Sequence, residues 1–169
     1  MTNRRTVAVA ATLALTQVLL AGCATPPAIG MFEDTTEVLQ GDASLEYDNY
    51  TKMFVKAGDF TLRGRNTGLV CTGSIAITHT GLDKGNIPMD MTCRDQGGEV
   101  TAQCGTGRLL EATWKADSCQ SGTGQGRDSE GTAFAFTFGI PESRALDWIE
   151  RQLGTQRDGH AGPRADHAK

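Results

Sequence analysis

The sequence predicts an all-β domain, a small antiparallel barrel or sandwich with one C-terminal amphipathic helix and a disordered tail. Three observations lead there. From Glu37 onward, β-branched and aromatic residues recur with a period near two. Glycine, aspartate and asparagine interrupt them at short intervals. No helical period appears until the last quarter of the chain.

Candidate strands run over Thr36 to Leu39, Leu45 to Val55, Asp59 to Gly64, Leu69 to Thr78, Ile87 to Cys93, Glu99 to Cys104, Leu109 to Trp114 and Thr132 to Phe138. The breaks at Lys56-Ala57-Gly58, Gly64-Arg65-Asn66-Thr67-Gly68, Gly81-Leu82-Asp83-Lys84-Gly85 and Asp95-Gln96-Gly97-Gly98 carry residues that tolerate positive φ. Alternation orients the strands. In TAFAFTFG, Phe134, Phe136 and Phe138 fall on one face, and Ala133, Ala135 and Thr137 on the other. Ile75 with Ile77, and Met89 with Met91, repeat the pattern. After Gly139, Pro141 occupies a first-turn position, and Leu146, Ile149 and Leu153 trace one helical face with Trp148 near it, ending at Gly154. The expected role of this helix is to cap an open end of the sheet. From Thr155 the tail has almost no apolar residue and is expected to be disordered.

The N-terminus reads differently. Arg4 and Arg5 precede the apolar run VAVAATLALTQVLL, which is too short for a membrane span and gives way to ATPPAIG, expected to be a polyproline-like linker. A twin-arginine signal is not matched beyond the arginine pair. Leu20-Ala21-Gly22-Cys23 resembles the lipobox of bacterial lipoproteins at every position. That resemblance implies cleavage before Cys23, a diacylglyceryl thioether on its sulfur and acylation of the new amino terminus. A single acyl chain binds a membrane marginally, whereas two or more anchor it. Ala24 stands where lipoproteins kept in the inner membrane often carry Asp, so the expected location is the outer membrane facing the periplasm, with the inner membrane as the alternative. The expected divisions are a signal at 1–22, a lipidated N-terminus and linker at 23–35, one β domain with its helix at 36–154, and a tail at 155–169.

Charge and cysteine content narrow the partners. The net charge of −4 falls to about −6 once Arg4 and Arg5 are removed, so no basic surface for nucleic acid is expected. Cys71, Cys93, Cys104 and Cys119 form an even set in a glycine-rich domain bound for an oxidising compartment, and disulfides are expected. Of three connectivities, Cys71 with Cys93 and Cys104 with Cys119 is favoured, because each pair flanks one expected hairpin. Zinc is disfavoured, since the spacings contain no C-x-x-C.

The order Cys71-Thr72-Gly73, Cys93-Arg94-Asp95, Gly122-x-Gly124-x-Gly126 and AFTFG is similar to a family of small uncharacterised bacterial lipoproteins with CTG, C-x-DG, GTGTG and FTFTFG motifs. The match covers roughly residues 69 to 139. It departs at Gln96, where a glycine would follow the aspartate, and in having Cys104 and Cys119. The resemblance implies an all-β envelope domain and no known activity.

Chemistry is sparse. Ser121-Gly122-Thr123-Gly124-Gln125-Gly126 could cradle an anion, but it lacks a G-K-[ST] ending and a following helix, so a close-packed strand is expected instead. His79 has no companion nucleophile motif, and Ser74 lacks an elbow. The carboxylate pairs Asp90 with Asp95 and Glu33 with Asp34 are no more than chance would supply among twenty acids. His160 and His167 could bind a metal only loosely from the tail. No catalytic residue, cofactor or metal is therefore expected. The expected function is a lipid-anchored envelope module that is structural or binds an envelope protein, the alternative being a ligand-binding or enzyme-inhibiting lipoprotein. An exposed concave face bearing Phe134, Trp114 or Tyr50 would favour that alternative.

Overall fold

The structure, a computed structural model, describes residues 23–47, 55–79, 93–94, 96–105 and 107–160. The chain forms β1 (Cys23–Ala24), β2 (Pro27–Phe32), β3 (Leu39–Tyr47), β4 (Val55–Gly64), β5 (Val70–His79), β6 (Gly97–Cys104), β7 (Arg108–Ser118), β8 (Ser121–Asp128), β9 (Ala133–Phe138) and α1 (Glu142–His160). Neighbours in sequence pair antiparallel from β2 to β9, and β9 then pairs with β2, so eight strands close into an up-and-down barrel. Of the two expected architectures, barrel and sandwich, the chain adopts the first.

Closure defines two rims. At the upper rim β3, β5, β7 and β9 end and β4, β6 and β8 begin; at the lower rim the directions reverse. The two-residue β1 extends the line of β2 past the upper half of β3, with Cys23 opposite Glu46 and Ala24 opposite Leu45.

The wall sorts side chains by the strand period. β7 alternates without a break: Leu110, Ala112, Trp114 and Ala116 are buried, and Leu109, Glu111, Thr113 and Lys115 are exposed. β6 repeats this with Val100 and Ala102 inside and Glu99, Thr101 and Gln103 outside. The apolar face therefore lines the lumen and the polar face meets water, the reverse of a transmembrane barrel with its outward apolar band. No helix among the described residues is long and apolar enough to cross a membrane.

An eight-stranded barrel is just wide enough for side chains to fill it. Phe32, Leu39, Leu45, Leu62, Val100, Leu110 and Phe134 do so, each less than 2% exposed. Phe32 and Phe134 meet at 4.7 Å between ring centroids, and Trp114 meets Phe138 edge-on at 5.9 Å.

The helix does not cap an end of the barrel, contrary to the expectation from sequence. It lies along the outside of β2 and β9. Ala145, Ile149 and Leu153, one helical turn apart, pack on Ile29, Met31, Ala133 and Ala135, with Leu146 and Trp148 at the edges. The small face of β9 thus accommodates the helix while its phenylalanine face fills the lumen, which leaves every residue of that strand buried. Gly139 sends the chain from wall to helix. It takes φ 64°, and a Cβ there would stand 1.8 Å from Gln120 O, so no side chain fits.

Two further expectations are corrected. Residues 27–32, expected to lie in a linker, form β2, a wall strand paired on both sides. The helix continues past Gly154 to His160, through residues expected to lie in the tail. The glycine-rich stretch from Ser121, expected as a close-packed strand, is the wall strand β8. The expected signal 1–22, most of the strand expected at Ile87 to Cys93, and residues 161–169 lie outside the described residues, as do Tyr50, Asp90, Asp95 and His167.

Candidate functional site

The residues singled out by the sequence separate into packing elements and two stapled rims. The glycines of the Ser121–Gly126 stretch face inward from β8. In register, Gly122 lies opposite Phe138, Gly124 opposite Phe136 and Gly126 opposite Phe134. A Cβ on Gly124 would meet Phe136 Cζ at 2.2 Å and Thr113 O at 2.7 Å, and one on Gly122 would meet Phe138 Cζ at 2.5 Å. The three rings lie on a strand stripped of inward side chains. Gly73 plays the same part under Phe60, its register partner on β4. These glycines thus admit aromatic rings and neighbouring backbone.

The cysteines pair differently from the expectation. Cys71 joins Cys104, its directly opposed partner across β5 and β6, with Cα atoms 4.0 Å apart. Cys93 joins Cys119, with Cα atoms 4.7 Å apart. The favoured Cys71 with Cys93 fails on distance. Cys71 lies near the start of β5, so Cys93, at the other rim, is about a strand length away, roughly 25 Å at 3.4 Å per residue, whereas a disulfide spans under about 7 Å. Each bond staples one rim.

Around the upper staple the buried Gln96 ties three segments together. Its amide donates to Cys93 O at 3.2 Å, its carbonyl accepts from Ala116 N at 2.8 Å, and its side-chain Oε1 accepts from Val55 N at 3.2 Å. The Tyr47 hydroxyl donates to Cys119 O at 2.7 Å, and burial raises the Tyr47 pKa. Cys93 takes φ 54°, unusual for a residue with a Cβ, where the staple and the Gln96 amide hold it.

The lower rim closes on Arg108. Its Nε lies 2.6 Å from Asp128 Oδ2, its terminal nitrogen bonds Asp34 Oδ2 at 2.8 Å, and its guanidinium sits 4.6 Å over the Phe32 ring. Hydrogen bonding to Asp34 is the largest of the effects that raise the Arg108 pKa further. The other Asp128 oxygen accepts from Glu130 N and Thr132 N, holding the β8–β9 turn. This pair is a clasp. Asp128→Ala is expected to lower the unfolding free energy by about 3 kcal/mol, because it strips a half-buried guanidinium of one partner and leaves two amides unanswered. A urea transition compared with wild type measures it.

Glu37 makes a second clasp beside it, accepting from Thr67 Oγ1, Thr67 N and Asn66 N. The Thr67 hydroxyl bond is the main reason its pKa lies below the ordinary carboxylate value of 4.5. A depressed folded-state pKa means the stabilisation is present above the unfolded value and is lost as pH falls through the folded one. Protection of the Asn66 and Thr67 amides against exchange, corrected for the intrinsic rate at each pH, should therefore be lost as pH falls through the depressed folded-state value in wild type. In Glu37→Gln that pH-dependent loss should be absent.

Compared with known proteins, the chain matches no described family and no curated protein. Among solved structures it is similar to a redesigned β-barrel, at TM-score 0.42 and 16% identity, covering 70% of this chain and 90% of that one.

The side chains considered for catalysis are dispersed. His79 ends β5, exposed, with its ring against Gly97. Ser74 lies further down the same strand and shares a 3.3 Å hydrogen bond with Thr101. Asp34 serves the Arg108 clasp. Among the described residues no group of three or more His, Cys, Asp or Glu is placed to hold a metal ion. Phe134 and Trp114 are buried at 1% and 5% exposure. Among the described residues, a hollow of 550 Å³ on the outer wall runs between Gln40, Gly41 and the start of the helix at Pro141 and Glu142. Sequence reasoning missed Gln96, Arg108 and Asp128. No local pattern marks them, because their partners lie on other strands.

Proposed function

We propose that this chain is a bacterial lipoprotein, anchored through Cys23 and facing the periplasm from the outer membrane. The barrel would serve as a structural or interaction module that presents its wall to another envelope component. The packed lumen carries this reading. The residues that could have formed a ligand bowl, Phe134 and Trp114, are buried within it. The glycine motif that could have cradled an anion is the bed on which the rings lie. What such a barrel offers a partner is its polar outside and the groove beside the helix. The CTG, GxGxG and FTFG order then reads as folding instructions: disulfide and ring bed, ring bed, rings and exit turn. This accords with the resemblance to a family of lipoproteins without known activity. Among the described residues, the outer wall and the rims are what a ligand or an envelope hydrolase could meet.

Cys23→Ala tests the anchor and the partner together. The variant should leave the membrane fraction, yet keep the wild-type melting temperature, because β1 pairs through its backbone. In-cell cross-linking should capture a specific envelope protein with wild type and much less with the variant. Capture that is equal in both would argue against an anchored module.

A further inference from the structure

Resting on the proposed lipid anchor, we infer that the barrel stands on the bilayer through its upper rim, with its lower rim turned to solvent. The chain is tied to the wall almost as soon as it leaves Cys23. Pro26 O accepts from Ala43 N at 3.0 Å, Pro27 O accepts from Gly139 N at 2.8 Å, and the backbone of Cys23 itself lies opposite Glu46 near the top of β3. From Cys23 to Pro26 the free contour is at most about 10 Å at 3.3 to 3.6 Å per residue. The lower rim lies about 20 Å further down a tilted strand of this length, beyond that reach. A tether this short fixes an orientation as well as a location.

Charge does not oppose this arrangement. Among the described residues both rims are mixed: the lower one carries Asp34 and Glu130 around Arg108, with Arg65 and Arg127 exposed nearby. The upper one carries Lys56, Arg94 and Lys115 beside Glu46 and Asp117. The wall beside the anchor turns Asp42, Asp59 and Arg63 outward. Tether length therefore sets the orientation. The Cys93–Cys119 staple and the Tyr47 and Gln96 bonds brace the upper rim. The partner surface proposed above is then the wall and the lower rim.

A benzophenone amino acid placed singly at Lys115, Gln120, Ser44, Asn66 or Glu130 in the full-length lipoprotein, irradiated in native membranes, reads the orientation. Phospholipid adducts are expected at Lys115 and Gln120 and none at Asn66 or Glu130. Adducts at the lower rim, or at Ser44 as strong as at the upper rim, would overturn the upright orientation, as would their absence at Lys115 and Gln120. Intact mass of the same samples separates the two ideas: lipid on Cys23 with the wrong adduct pattern rejects the orientation alone, and no lipid rejects the anchor on which it rests. A 20-residue Gly-Ser insertion after Ala24 lengthens the reach to about 25 Å. It should abolish the upper-rim adducts while the lipid mass stays; adducts that persist would show that tether length does not set the orientation.

Discussion

Gly124→Val should leave the chain without a cooperative thermal transition. The new side chain enters the lumen where Phe136 Cζ would be 2.2 Å and Phe136 Cε1 2.3 Å from its Cβ, and the ring cannot be the only group to yield, because Thr113 O is also 2.7 Å away. Overpacking usually costs about 1 to 3 kcal/mol when side chains alone can shift. Here backbone of β7 must move as well, and a domain whose whole stability is about 5 to 15 kcal/mol has little to spare. Gly30→Ala provides the graded comparison. The nearest atoms its Cβ would meet belong to side chains, Phe134 Cζ at 2.6 Å and Leu62 Cδ1 at 3.2 Å. It should therefore fold with a loss of about 1 to 3 kcal/mol. Phe134→Leu should recover part of that loss when combined with Gly30→Ala, though alone it destabilises. A double-mutant cycle in urea measures the coupling. Gly124→Val folding as well as Gly30→Ala would show that the rings of β9 do not rest on β8 as described.

Removing the lower staple, Cys71→Ala with Cys104→Ala, should cost about 4 kcal/mol for a closed loop of this length in the chain-entropy account. The separation of 33 residues sets that value. For a domain of this size the melting temperature should fall by roughly 10 to 20 °C. Cys71 and Cys104 are both at 0% exposure, whereas Cys119 is partly exposed, so in the native state reductant should cleave Cys93–Cys119 first. Non-reducing peptide mapping of the wild type should find Cys71 with Cys104 and Cys93 with Cys119. A Cys71 to Cys93 peptide would contradict the register of β5 and β6 itself.

The β character, the orientation of β9 and the helix after Pro141 were all legible, because each is written in one continuous stretch. Alternation of phenylalanine with alanine announces a strand with two unlike faces wherever it is folded. β2 was hidden for the opposite reason. Its inner face meets the lumen and its outer face meets the helix, so Ala28 to Phe32 are all buried and show no polar alternation. Pro26 and Pro27 at its start suggested a linker, although proline is tolerated at the first residue of a strand. β8 was legible as a close-packed strand but not as part of the barrel wall, because its inward positions are glycine and the apolar signal that normally marks a wall strand sits on β9. The disulfide pairing and the Arg108 clasp depend on which strand ends share a rim, a property of barrel closure and not of any short segment. The helix was legible, but its seat was not: lateral packing needed the small face of β9 to be joined by Ile29 and Met31 from a strand the sequence did not announce.

The proposal as a whole rests on Cys23, and intact-mass spectrometry of the native protein extracted from membranes in detergent tests it most directly. The expected species is a polypeptide beginning at Cys23 that carries a diacylglyceryl group on its sulfur and an acyl group on its amino terminus. A water-soluble species beginning at another residue, or one with the Cys23 thiol free, would contradict it.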